Sequence, residues 1–163
     1  MRILGIALLF FLLNPLGVLA MDVRNLGETE AEGLEAERQW VQTLIKGLGS
    51  DFVLSKTNSD LSTLQSIIEN GPYTDNRENE LVVIGTTFGD ILATELDLHW
   101  VVVTDEYGTD IGLKYRNLEI YLFPRDMIVK RFEKGEEVDL TFMFGELVKV
   151  VKEKIRDDGI KSK

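Results

Sequence analysis

Residues 98–123 read LHWVVVTDEYGTDIGLKYRNLEIYLF, and the side-chain period across this stretch decides the fold class. Leu98–Thr104 is rich in β-branched and aromatic residues and apolar on both faces, the composition of a central strand. Asp105-Glu106-Tyr107-Gly108 supplies turn chemistry. Over Thr109–Tyr115, Ile111, Leu113 and Tyr115 alternate with Asp110, Gly112 and Lys114, as in a half-buried strand. Arg116-Asn117 reads as a tight turn, with Asn117 able to tolerate positive φ, and Leu118–Phe123 as a third strand. Consecutive strands with short connections predict a three-stranded antiparallel meander.

Outward from this stretch the period changes from 2 to 3.6. On the N-terminal side, Leu34, Trp40, Val41, Leu44, Ile45 and Leu48 fall largely on one helical face, and Gly47 and Gly49 mark the end of that helix. A second helix carries Leu61, Leu64, Ile67 and Ile68, with Asn58 or Ser59 as its cap and Gly71-Pro72 as its stop. A third is expected from about Asp75 to Leu96, striped by Leu81, Ile84, Phe88, Leu92 and Leu96. Gly85 and Gly89 lie on that stripe, where the missing side chains let a neighbour pack closely. Beyond the meander, Pro124 suits the first position of a short helix reaching Phe132, with Gly135 as its stop. Leu140, Phe144, Leu147, Val151 and Ile155 then keep helical spacing in a helix from about Asp139 to Arg156. These elements predict an α+β fold, the meander packed against N-terminal and C-terminal helices. Residues 34–156 form one globular domain, residues 21–33 a polar N-terminal arm, and residues 157–163 a loose tail.

Residues 1–20 read as a secretory signal peptide. Arg2 supplies the positive start, Ile3–Leu13 an apolar run of eleven residues, and Asn14, Pro15 and Gly17 a helix break before Val18-Leu19-Ala20. The run is short against the about 20 residues of a membrane span. Two alternatives are an uncleaved anchor and a chain that truly starts at Met21. Cleavage between Ala20 and Met21 is the expectation. It places the protein outside the cytoplasm, periplasmic or secreted, with no stable membrane anchor remaining.

The mature chain of residues 21–163 carries 17 basic and 28 acidic residues, a net charge of −11. Such a balance argues against nucleic acid and anionic membrane surfaces as partners. The chain has no cysteine, so neither a disulfide nor a cysteine-linked lipid holds it. A lone histidine, His99, with no cysteine offers no zinc site of ordinary composition, and no acid cluster has EF-hand spacing. No metal or other cofactor is expected, and no catalytic residue is assigned. A serine triad would have to use His99, which lies in the expected central strand, and no serine occupies a nucleophile elbow. Asp105, Glu106 and Asp110 gather at one turn, and Glu136, Glu137 and Asp139 at another connection. Both read as solvated turns. Lys130-Arg131 is the basic pair of interest, suited to a partner's carboxylate or phosphate. Pairing with Glu133, Glu136 or Glu137 is its plainer use. Trp40 and Trp100 are expected to anchor the core.

The run from Gly85 to Leu140, GTTFGDILATELDLHWVVVTDEYGTDIGLKYRNLEIYLFPRDMIVKRFEKGEEVDL, resembles the bacterial family known as domain of unknown function 3806. The matching features are Gly89, Trp100, Asp105 with Gly108, Phe123-Pro124, Lys130-Arg131, and Gly135 with Val138. The likeness covers roughly residues 80 to 145. It implies a compact α+β module and carries over no catalytic residue. Residues 22–75 fall outside it.

The expected function is that of a non-enzymatic binding or accessory protein with a protein partner, docking through Lys130 and Arg131 or the second face of the sheet. The alternative is an extracytoplasmic hydrolase working through carboxylates, with or without His99. A third is a self-associating structural protein.

Overall fold

The structure, a computed structural model, describes residues 21–71 and 77–161, with side chains as far as Asp157. The signal segment 1–20, and with it Ala20, lies outside the described residues, as do Pro72 and the expected helix start at Asp75.

Apolar periodicity has produced α-helices α1 (Glu28–Gly47), α2 (Leu61–Asn70), α3 (Arg77–Leu96), α4 (Pro124–Glu133) and α5 (Leu140–Lys161). Alternation has produced strands β1 (Asp22–Asn25), β2 (His99–Asp105), β3 (Gly108–Lys114) and β4 (Tyr121–Leu122). The class is α+β. The sheet is antiparallel throughout in the order β1-β2-β3-β4.

Its strand count corrects the expectation of three. The supposed polar arm supplies the extra strand: Asp22 stands opposite Thr104 and Asn25 opposite Val101. Only Val23 of the four is partly covered, so the segment's polarity conceals it. An edge strand with charged side chains is a common device against stray pairing. The acids of the same arm start α1, where Glu28 and Glu30 meet the positive end of the helix. The Glu30 carboxylate accepts the Gly27 N–H at 2.9 Å and pairs with Arg24 of β1, joining strand to helix. At the other edge, β4 pairs only Tyr121 and Leu122, opposite Lys114 and Leu113. The preceding residues make the turn, in which Arg116 rather than Asn117 takes the positive φ, 41°. Helix α5 runs on to Lys161, into the segment expected as a tail.

Helix α3 is the hub and packs against α1, α2, α4 and α5. Its Leu81, Ile84, Phe88 and Leu92 are fully buried, alongside Val41 and Ile45 of α1, Leu64 and Ile67 of α2, Leu140 of α5, and Leu113 and Leu122 of the sheet. The two glycines set the approach distances. A Cβ at Gly85 would stand 2.5 Å from the Arg125 Cα, and one at Gly89 2.5 Å from the Trp100 ring. Gln65 of α2 fixes the start of α5, donating to the Val138 carbonyl and accepting the Leu140 N–H, each at 3.0 Å. Asp139 caps that helix by accepting the Phe142 N–H at 2.9 Å.

Candidate functional site

Two polar residues one position beyond the glycines, Thr86 and Asp90, are buried on α3. A buried carboxylate is costly unless its charge and lone pairs are met, and the fold meets them from three elements. Arg38 of α1 grips Asp90 with both arms, Nε at 2.6 Å and an Nη at 2.8 Å, and the Trp100 indole N–H donates at 2.9 Å. The hydrogen bonds to Asp90 raise the guanidinium pKa of Arg38. Lys56 brings its Nζ to 3.8 Å of the same carboxylate. It does so from a left-handed backbone conformation, φ 60°. The buried Asp60 staples that loop by accepting the backbone N–H groups of Ser55 and Lys56 at 2.9 and 2.8 Å.

One turn earlier, Glu37 of α1 bridges α3 and α4. It accepts the Thr86 hydroxyl with one oxygen and Arg125 with the other, the latter at 2.8 Å. The Arg125 Nε is buried without a hydrogen-bond partner. The junction ties α1, the Lys56 loop and β2 to Asp90 of α3, and α4 to α1 through Arg125 and Glu37. The arrangement positions elements and holds its acids as charge partners.

Nearer the surface, Asp110 of β3 is half-buried, and burial pushes its carboxyl pKa up. The neighbouring Asp126 charge adds to that rise, while the Ile111 N–H, Arg125 and Lys130 oppose it. Asp105 folds back to accept the Tyr107 N–H at 2.8 Å, fixing the β2–β3 hairpin tip. Tyr107 at that tip is 79% exposed.

Lys130 and Arg131 lie on the last turns of α4. Lys130 pairs with Asp126 at 2.6 Å and Arg131 with Glu136 at 3.3 Å. Beside them Phe132 is 39% exposed, with the Arg77 guanidinium 4.4 Å above its ring centroid. The result is a basic–aromatic patch where the end of α4 meets the start of α3. His99 is exposed on β2, opposite Lys114, and is not gathered with either acid cluster. Trp40 and Trp100 are both partly buried against the core. Met21, expected to begin the mature chain, sits immediately before β1. Among the described residues no group of three or more metal-ligating side chains is assembled, and no helix is long and apolar enough to cross a membrane.

Sequence reasoning did not find the Arg38–Asp90 and Glu37–Arg125 junctions. Partners separated by 52 and 88 residues leave no local signal. One hint existed: Thr86 and Asp90 repeat the four-residue spacing of Gly85 and Gly89, so the close-packed face also carries them inward.

A family model described as "Domain of unknown function (DUF3806)" matches residues 60–144. That span takes in α2 as well as the meander and α4. A crystal structure from Bacteroides thetaiotaomicron VPI-5482 shares the fold, with a TM-score of 0.67 and 18% identity. The alignment covers 78% of this chain and 47% of that one, so the chain spans about half the length of its structural relative. No curated protein matches the chain.

Proposed function

The chain belongs to the DUF3806 family, and from that premise we propose that it is an exported, non-enzymatic binding module whose docking surface is the end of α4. The observation that carries this is the exposed Phe132 ring, covered on one face by the Arg77 guanidinium and following the Lys130-Arg131 pair at the end of α4. Phenylalanine and arginine are both enriched at the cores of protein interfaces. A partner offering carboxylates beside an apolar side chain would exchange the weak surface pairs Lys130–Asp126 and Arg131–Glu136 for new ones at little cost. Export is supported by the signal-like residues 1–20. The part-buried pairs Arg38–Asp90 and Glu37–Arg125 join elements and suit a rigid platform beneath that surface.

The test is a cross-linked pull-down of the tagged protein from its native extracytoplasmic fraction. A partner recovered at near-stoichiometric yield, and reduced about tenfold by Lys130→Glu with Arg131→Glu, is the expected result. Recovery unchanged by the double variant would sink the assignment of the surface.

A second function is favoured by one observation, the raised pKa of Asp110 beside Asp126. A half-buried carboxyl that holds its proton more tightly than usual is a candidate general acid for hydrolysis. Hydrolysis of a panel of ester and glycoside substrates, abolished by Asp110→Asn, would establish that function in place of docking.

A further inference from the structure

Residues 50–57 join α1 to the single 3-10 turn Asn58–Asp60 ahead of α2, and they do so without regular structure. Phe52 and Leu54 are partly buried against the core, while Val53 between them is 73% exposed. Among the described residues, no main-chain group of residues 51–56 bonds to another main-chain group. Side chains hold the segment instead. The Gln42 amide of α1 clasps it as a neighbouring strand would. Its Nε2 donates to the Phe52 carbonyl at 2.7 Å, and its Oε1 accepts the Leu54 N–H at 3.5 Å. Ser50 Oγ accepts the Phe52 N–H at 3.2 Å. Asp60 accepts the N–H groups of Ser55 and Lys56 and, at 2.7 Å, the Ser55 hydroxyl.

We propose that residues 50–57 are a strap that opens and closes as one unit on an otherwise intact fold. Three observations carry this. First, the anchors are side chains, so the strap can lift without breaking a helix or a strand ladder. Second, its two ends have hinge backbone. Gly49 stands at φ 75° with nothing within 4 Å of its Cβ position, and Lys56 at φ 60°. The left-handed conformation is free to glycine and uphill for lysine. Strain of that kind persists only where the surroundings impose it, and it collects at clamps and switches. Third, the apolar seating is confined to Phe52 and Leu54, neither of them fully buried. Segments with few buried apolar contacts open at a lower free energy than the whole domain. Closing hides the apolar bed of these two side chains and brings the Lys56 Nζ to 3.8 Å of Asp90. Opening bares that bed and withdraws the cation from the Arg38–Asp90 junction. The strap thus gates an apolar face of the core that the closed molecule conceals.

Native-state hydrogen exchange, read residue by residue by NMR, tests this. The reporters are the four amides held by side chains, those of Phe52, Leu54, Ser55 and Lys56. Their protection is expected to be nearly equal, far below that of α3, and barely sensitive to urea, because a local opening exposes little surface. Gln42→Ala removes the clasp and is expected to lower the protection of all four about tenfold while α3 is unchanged. Ser55 and Lys56 do not touch Gln42, so their response distinguishes a unit from separate bonds. Lys56→Gly is expected to raise the protection of the other three about two- to fivefold, relief of strain outweighing the greater freedom of glycine in the open strap. Strap amides that share the protection and urea dependence of α3 overturn the proposal. So does a Gln42→Ala effect confined to Leu54 or shared equally by α3, or a Lys56→Gly strap no better protected than the wild type.

Discussion

Replacing Gly89 with alanine puts the packing of α3 to a quantitative test. In an unconstrained helix the change stabilises by about 1 kcal/mol, because glycine forfeits more backbone entropy on folding. Here the added Cβ falls 2.5 Å from two atoms of the Trp100 ring and 3.1 Å from the Pro124 Cγ. Ordinary carbon–carbon contact needs about 3.5–4.0 Å, so the indole has to retreat by roughly 1 Å. Overpacking of this kind costs about 1–3 kcal/mol. The retreat also stretches the 2.9 Å bond from the indole to Asp90, and a hydrogen bond to a charged group is worth about 1.5–3 kcal/mol. Set against the helix gain, the net loss is about 1.5–5 kcal/mol. With a urea m-value of about 2 kcal/mol/M, the denaturation midpoint falls by about 0.8–2.5 M. Gly145→Ala is the matched control, since nothing lies within 4 Å of its Cβ on α5. That variant is expected to gain up to about 1 kcal/mol. A Gly89→Ala protein as stable as the wild type would refute the close approach of α3 to Trp100.

Two further substitutions separate buried from surface electrostatics. Asp90→Ala strands the Arg38 guanidinium, whose side chain is 19% exposed, and is expected to cost about 3–5 kcal/mol in urea denaturation. Glu95→Gln breaks the surface pair with Lys152 and is expected to cost less than about 1 kcal/mol. Equal losses from the two would contradict the burial of the junction. Asp110→Asn carries a pH signature. A carboxyl pKa raised above its ordinary 3.8 means that the folded state holds the proton more tightly than the unfolded chain. Ionised Asp110 therefore destabilises the fold above its folded pKa and has no such effect below 3.8. Thermal melts are expected to show Asp110→Asn more stable than wild type at pH about 7, with the gain vanishing at pH about 3. A gain that persists in acid would contradict the assignment.

The helices and β2–β3 were legible because their stripes and alternation reflect burial on one or both faces. Val101, Val102 and Val103 are all buried, as a run apolar on both faces implies. The polar edge strand was not legible. Asp22 to Asn25 gain strand geometry from the hydrogen-bonding edge of β2 rather than from their own side chains. Leu118–Phe123 has strand composition, yet the positive-φ turn at Arg116 leaves only Tyr121 and Leu122 in register. At the candidate site, Lys130 and Arg131 were visible as a basic pair in an acidic chain. The exposed Phe132 under Arg77 was not, because Arg77 and Phe132 are brought together only by the packing of α4 on α3. Asp90 carries no local signal in the sequence, because Arg38 and Trp100 converge on it only in the fold.

The central claim, that the end of α4 is where this protein meets its partner, is tested most directly by site-specific photocross-linking. A photoreactive residue is placed at Phe132 in one sample and at Leu48 in another. These side chains are similarly exposed, at 39% and 37%, Phe132 on α4 and Leu48 just beyond the end of α1. A discrete cross-linked product from position 132, with little from position 48, is the predicted result. Equal products from both positions, or a product from position 48 alone, would contradict the claim.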